Sequence, residues 1–316
     1  MTGQRAYDLI EKIPDAVCRR DVPCATLCTF RTGGTAEFVA EPGNASALKR
    51  ILEICADTGV RYFILGNGSN LLFSDLGFDG VIVRTSRMKR VTADGTTVRA
   101  GCGALLSAVS SKARAWSLTG LEFAEGIPGT LGGGIFMNAG AYGGELSSVV
   151  KSVSALDTVT LEIREYGPAE CGFGYRASRF QGGGEVILSA GLALEKGDGE
   201  KIGEEMARLR TMRREKQPLR YPSAGSAFKR PAGDYAARLI DSCGLKGFSS
   251  GGAAVSEKHA GFVINKGGAE SADVIAVMRA VRTAVFEKTG VLLEPEIRYI
   301  AHGSEVIPDI FSGGRE

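Results

Sequence analysis

Only two histidines, His259 and His302, occur among the 316 residues, too few for the histidine-rich cages of most catalytic zinc sites. No metal is therefore expected. Cysteine offers no substitute. The seven (Cys18, Cys24, Cys28, Cys55, Cys102, Cys171 and Cys243) are odd in number and contain no C-x-x-C pair. They read as small apolar residues of a reduced protein, not as a disulfide framework. No apolar run approaches the ~18 residues that span a bilayer. The opening MTGQRAYDLIEKIPDAVCRRD also lacks the apolar stretch of a secretory signal. The expectation is a cytoplasmic protein without membrane insertion. Neither charge sign dominates: 38 Lys and Arg against 36 Asp and Glu leave a net +2, which speaks against a concentrated basic footprint for nucleic acid. Ten prolines without a G-X-Y period exclude a collagen-like chain. With 44% of residues hydrophobic, disorder is excluded as well.

What is abundant is glycine. The 44 glycines make up about 14% of the chain, against an average near ~7%. A packed protein with this composition needs backbone more than side chains at certain places. The densest cluster is GIPGTLGGGIFMNAGAYGG (126–144), with eight glycines in nineteen residues. A smaller one lies in LGNGSNLLF (65–73).

At ~100–200 residues per domain, the length suggests two domains. From Asn44, the apolar positions Leu48, Ile51, Leu52 and Cys55 predict a helix that Gly59 closes. The run 60–65 and the short runs 71–73 and 81–83 predict strands, giving a strand–helix–strand unit. KRVTADGTTVRA (89–100) predicts a hairpin turning at Asp94-Gly95. Beyond a helix over 104–116 and the glycine cluster, strands are expected at 149–156, 158–164 and 185–194. Helices are then expected over 200–216, over 234–243 and from Ser271 to Gly290, with a strand at 261–264 and a last alternating strand over 291–300. A domain boundary is placed near 195–200, and the tail from 303 reads as loose.

The 65–73 segment is not a dinucleotide fingerprint, because Leu71 stands where the third glycine belongs and no helix pattern follows. It is either a plain glycine turn or a nest of backbone N–H groups facing an anion. Within 126–144, Gly129, Gly132, Gly133, Gly134 and Gly140 permit close backbone approach to a ligand, and Thr130 and Asn138 add polar groups. Two such loops fit a dinucleotide-sized ligand, with a purely structural crossing as the alternative. Alternation places Glu294, Glu296 and Arg298 on one face of the last strand, and Leu293, Ile297 and Tyr299 on the other. That polar face is either a solvated edge, which Pro295 suits, or a cleft wall. Taken alone, Arg176 reads as a surface arginine and Ser226 as a turn residue.

Seven segments in order change that reading. They are Thr29-Phe-Arg-Thr-Gly-Gly34, Leu65-Gly-Asn-Gly-Ser-Asn70, Gly126-Ile-Pro-Gly-Thr130, Asn138-Ala-Gly-Ala-Tyr-Gly143, Phe173-Gly-Tyr-Arg176, Gly225-Ser-Ala-Phe-Lys229 and Leu293-Glu-Pro-Glu-Ile-Arg298. Together they resemble the UDP-N-acetylenolpyruvoylglucosamine reductase family, flavoenzymes of bacterial cell-wall synthesis. The resemblance implies an α+β protein: a two-lobed FAD-binding domain of the vanillyl-alcohol-oxidase (PCMH) type over 25–195, and an α+β substrate-binding domain over 200–302. It implies FAD as cofactor, NADPH as hydride donor, and UDP-N-acetylglucosamine enolpyruvate as substrate, with no obligate protein partner. It also assigns roles: Arg176, Ser226 and Glu296 catalytic; Gly66, Asn67, Gly68, Ser69, Asn70, Gly129, Thr130, Gly132, Gly133 and Asn138 on the cofactor; Tyr175, Lys216, Lys229 and Arg298, with Arg213 as a weaker candidate, on the substrate. About 50 residues separate Arg176 from Gly225, which matches the short type that lacks a tyrosine-bearing lid. A flavin oxidase on the same fold and a nucleotide-sugar-binding regulator without catalysis are the rival readings.

Overall fold

A computed structural model describes residues 2–302; the tail from 303 lies outside the described residues. Strands Ala16–Pro23, Thr35–Pro42, Phe78–Arg84 and Tyr62–Leu65 form one four-stranded sheet in that order. The helix Ala45–Thr58 connects two of them. Its N-terminus is capped by Asn44, whose side chain accepts from the Ala47 amide at 2.9 Å. Gly59 ends it in the left-handed region.

Packing divides the chain into two compact units that are not contiguous in sequence. Of the described residues, one comprises those up to Arg19, Val39–Asn67 and Ile82–Arg213; the other comprises Arg20–Phe38, Gly68–Val81 and those from Arg214 to His302. These packing units cut across the expected division into 25–195 and 200–302. One cause is the last strand, Arg298–Ile300, which pairs in parallel with Leu71–Phe73 and draws that early segment into the second unit. The helix Gly199–Lys216 belongs to the first unit as far as Arg213.

The first unit is built around a five-stranded antiparallel sheet. Its order is Ile163–Tyr166, Val150–Asp157, Glu185–Ala193, Thr97–Gly101, Val91–Asp94. Val98, Val153 and Leu192 from the sheet join Leu106, Val109 and Ala113 of the helix Leu106–Ala115 in one apolar core. The hairpin turns one residue later than expected. Asp94 still pairs with Thr97, so Gly95 and Thr96 are the central residues, and Gly95 takes φ +58°. A glycine at the first central position is the pattern of a type II′ turn. The strand expected over 158–164 begins only at Ile163, because Asp157 accepts from the amides of Val159 and Thr160 and turns the chain first.

The second unit contains a three-stranded antiparallel sheet (Ser249–Ser250, Ala253–Val255, Val263–Asn265) with the helix Ser271–Thr289 against it. Glu270 and Asp273 form a reciprocal capping box at the helix start. The Asp75 carboxylate accepts from the Ser271 amide and hydroxyl, both at 2.7 Å. Only Arg298–Ile300 of the expected 291–300 strand is regular, yet the alternation holds: Leu293, Ile297 and Tyr299 are buried, while Glu294 is exposed and Glu296 and Arg298 are half-buried. Among the described residues no helix is long and apolar enough to cross a membrane, and no His/Cys/Asp/Glu cluster could hold a metal.

All seven cysteines are free. Burial pushes the thiols of Cys24, Cys55 and Cys102 up to about 12, so little reactive thiolate forms at neutral pH. Cys18 and Cys243 are only partly covered. An aromatic disulfide reagent should label these two in the native protein, and the other five only after unfolding.

Candidate active site

In the first unit the two glycine loops meet. A Cβ on Gly66 would lie 2.5 Å from Thr130 Oγ1, and the Asn67 side chain donates to Pro128 O at 2.6 Å. Thr130 is also the N-cap of a short helix, Leu131–Phe136, accepting from the Gly133 amide at 3.4 Å. This helix was not legible in the glycine-rich sequence, since glycine costs about 1 kcal/mol relative to alanine at each helical position. Packing explains two of its three glycines. A Cβ on Gly132 would sit 2.9 Å from Cys102 Cβ, and one on Gly134 would sit 2.8 Å from Leu146 Cδ1. Gly133 differs. It is exposed, and only Thr130 Oγ1, at 3.5 Å, lies near a Cβ built there. That open face is where a ligand can approach the backbone.

Asn138, expected on the cofactor, is 1% exposed. Its amide donates to Gly174 O at 3.0 Å and accepts from the Ser147 amide at 2.9 Å. The side chain ties two loops together within the protein. Gly174 and Ala177 exchange backbone hydrogen bonds at 3.1 and 3.2 Å, so Tyr175 and Arg176 form a two-residue turn. Arg176 takes φ +53° there, in the region where an L-residue's Cβ crowds the following carbonyl and glycine is favoured. Its guanidinium donates to Gly140 O at 3.2 Å and lies 5.2 Å from the Tyr175 ring centre. Seven other non-glycine residues of the described chain share a positive φ, Arg31 and Leu161 among them.

Arg213 occupies the fourth place of an otherwise apolar stripe, after Ile202, Met206 and Leu209. It is 8% exposed, and its guanidinium lies 5.6 Å from the Tyr142 ring centre. Burial lowers its pKa, with Tyr142 and Glu125 opposing that shift.

The boundary between units falls inside the 66–70 loop, so Gly68, Ser69 and Asn70 belong to the second unit. Gly68 has φ +64°, and a Cβ there would meet Leu27 O at 2.1 Å. The Asn70 side chain donates to Glu296 O at 3.0 Å, while Asn70 O accepts from the Arg298 amide, also at 3.0 Å. The Gly225–Lys229 segment lies beside the extended segment Glu294–Glu296, bridging at Phe228 and Pro295. The Glu296 amide donates to Ala227 O at 2.9 Å, and the Lys229 amide donates to Glu294 O at 2.8 Å. On its other side, Ser226 bridges to Phe262. Ser226 thus lies one residue before Ala227, which pairs with Glu296, and Ser226 and Glu296 are both half-buried.

Of the expected substrate contacts in this unit, Lys229 forms an ion pair with Glu294, and Lys216 is exposed. Arg298 is half-buried, and burial lowers its pKa. Arg230 stacks on the Tyr235 ring 4.5 Å away. Between Arg176 and Gly225 the chain is taken up largely by the strand Glu185–Ala193 and the helix Gly199–Lys216.

Residues 36–162 match the FAD binding domain family, and residues 217–300 match the family described as UDP-N-acetylenolpyruvoylglucosamine reductase, C-terminal domain. A structure of Physcomitrella patens BBE-like 1 superposes with TM-score 0.50 at 14% identity, over 60% of this chain and 44% of that one. That similarity speaks for the fold alone. Taken with the domain match, it defines a chain whose N-terminal part has an FAD-binding fold. The finer assignment rests on nearer relatives. The UDP-N-acetylenolpyruvoylglucosamine reductase of Clostridium perfringens is 46% identical over 280 residues, 89% of this chain and 92% of its own length. The crystal structure of the Thermus caldophilus enzyme has TM-score 0.78 at 33% identity, covering 90% of this chain and 99% of that one. The chain belongs to the UDP-N-acetylenolpyruvoylglucosamine reductase family.

Proposed function

We propose that the protein reduces UDP-N-acetylglucosamine enolpyruvate to UDP-N-acetylmuramate with electrons from NADPH, in the cytoplasm, as a step of peptidoglycan precursor synthesis. The observation that carries this reading is Arg176 held in a left-handed turn conformation, in a chain where Ser226 and Glu296 lie on adjoining extended segments joined by the Glu296–Ala227 backbone hydrogen bond. Bound FAD supplies the hydride. The open face at Gly133 and the abutting loops at Gly66 and Thr130 suit a pyrophosphate held by backbone N–H groups. Gly129, Gly132, Ser69 and Asn70 are the further residues we assign to it.

Hydride addition to an enolpyruvyl double bond leaves negative charge toward the α-carbon and its carboxylate. Arg176 is suited to stabilise that charge as it develops, the type of interaction whose loss costs about 3 kcal/mol. The Ser226 hydroxyl then delivers the proton to the α-carbon. Glu296 acts as the carboxylate partner next to that group. Tyr175, Lys216, Lys229 and Arg298 are assigned to the substrate, where arginine and lysine donors match diphosphate and carboxylate oxygens.

Anaerobic stopped-flow mixing tests the assignment. Enzyme whose flavin has been reduced by NADPH should be reoxidised by the enolpyruvyl nucleotide without oxygen. Reoxidation by oxygen alone would instead support a flavin oxidase. A second test addresses the cofactor loop. Gly133→Leu adds helix propensity worth up to ~1 kcal/mol and meets open space, so the flavin-free protein should melt no lower than the parent. The same side chain fills the face assigned to the cofactor, and flavin titration should show affinity weakened at least ~10-fold. Unchanged affinity would remove Gly133 from the cofactor site.

A further inference from the structure

Gln181 lies on a short 3-10 turn, Arg179–Gly182, immediately after the Arg176 loop. Its side chain folds back rather than out. Nε2 donates to Arg176 O at 2.9 Å and to Phe136 O at 2.9 Å. The two closest partners are carbonyl oxygens and a third, Met137 Sδ at 3.4 Å, is a weak acceptor, so only the NH₂ end of the amide can face them. Phe136 O is the last carbonyl of the helix Leu131–Phe136, a position that lacks an intrahelical donor. It also accepts from the Ser178 hydroxyl at 2.8 Å. One amide therefore joins the end of the glycine-loop helix to the one residue of the turn with unfavourable φ. Asn138, bonded to Gly174 O, pins the opposite side of the same turn.

We infer that Gln181 is a positioning residue: it holds the peptide after Arg176 so that the left-handed conformation persists and the guanidinium keeps its aim. The inference rests on the role proposed above for Arg176. It makes Gln181 the link by which the cofactor loop sets the orientation of the charge-stabilising arginine. A lapse of about 1 Å in such a group can cost on the order of 100-fold in rate, so a brace made of two hydrogen bonds matters to chemistry even on a partly exposed side chain.

Three variants of the holoenzyme test it: Gln181→Glu, which keeps the shape but sets a carboxylate against two carbonyls; Gln181→Met, which has no donor; and Gln181→Lys, which keeps a donor. Two readouts are needed. Amide hydrogen exchange over 174–178 should quicken about 10-fold in the Glu and Met variants, since local opening sets that rate. Their reoxidation by the enolpyruvyl nucleotide should slow about 10-fold or more while flavin reduction by NADPH stays unchanged, and Lys should restore both readouts toward the parent. Unchanged exchange in Gln181→Glu overturns the inference. So does an equal slowing of both half-reactions, or a Lys variant as impaired as Glu. If the parent is not reoxidised by the enolpyruvyl nucleotide, the functional reading fails, and the exchange rates still decide whether Gln181 braces the turn.

Discussion

Arg176→Gly should fold at least as well as Arg176→Ala and be just as inactive. At φ +53° an L-side chain costs about 1–2 kcal/mol that glycine does not incur. Glycine loses more backbone entropy on folding, by roughly 0.5–1 kcal/mol relative to alanine, so the two effects partly offset each other. Both variants lose the hydrogen bond to Gly140 O and the contact with Tyr175, so their comparison isolates the backbone. The glycine variant is expected to melt slightly above the alanine variant and close to the parent. Reoxidation of the reduced flavin by the enolpyruvyl nucleotide should fall about 100-fold or more in both, as for removal of one preorganised donor from developing charge. Flavin reduction by NADPH involves no such charge on the vinyl carbon and should be largely retained. A glycine variant that melts below the alanine variant would show that the turn is not strained. Equal loss in both half-reactions would show that Arg176 serves the fold or a shared site.

The strain at Arg176 explains why the sequence alone could not single it out. An arginine after Gly-Tyr carries no local signal that its φ is positive, because L-residues other than asparagine and aspartate rarely adopt that region. Family order pointed to it; the backbone shows why its identity is unusual. The helices were legible where a cap or a terminal glycine accompanied an apolar stripe, as at Asn44 and Gly290. The strand Ala16–Pro23 was not, because Arg19, Arg20 and Asp21 interrupt the alternation along an edge. The discontinuous packing units were not legible for a topological reason: the Arg298–Leu71 pairing joins segments far apart in sequence, and local periodicity cannot report such a contact. Asn138 shows a subtler limit. A polar residue among glycines suggested a ligand, whereas its amide faces Gly174 and Ser147. Gln181 left no trace in the motif pattern, since its part depends on folding back onto carbonyls of its own loop.

Ser226→Ala is expected to separate the two half-reactions more sharply. The substitution removes one oxygen from a half-buried position whose backbone is held on both sides, by the bridge to Phe262 and through the Ala227–Glu296 bond. Strand geometry should therefore survive, and thermal stability should change by no more than about 1 kcal/mol, the net worth of a typical hydrogen bond. Loss of a positioned proton donor typically costs 10²–10⁴-fold in the step it serves, so reoxidation by the enolpyruvyl nucleotide should slow by about 1000-fold. Flavin reduction by NADPH requires no proton at the α-carbon and should proceed at nearly the parental rate. Ser226→Cys supplies a more acidic hydrogen at the same place and should recover part of the lost rate. Glu296→Gln should slow the same half-reaction, because its backbone pairing with Ala227 is kept while its charge is lost. If Ser226→Ala slows both half-reactions alike, Ser226 belongs to a shared site or to the fold. If it slows neither, the proton comes from elsewhere, and Glu296, on the segment that pairs with Ala227, becomes the group to test as the acid.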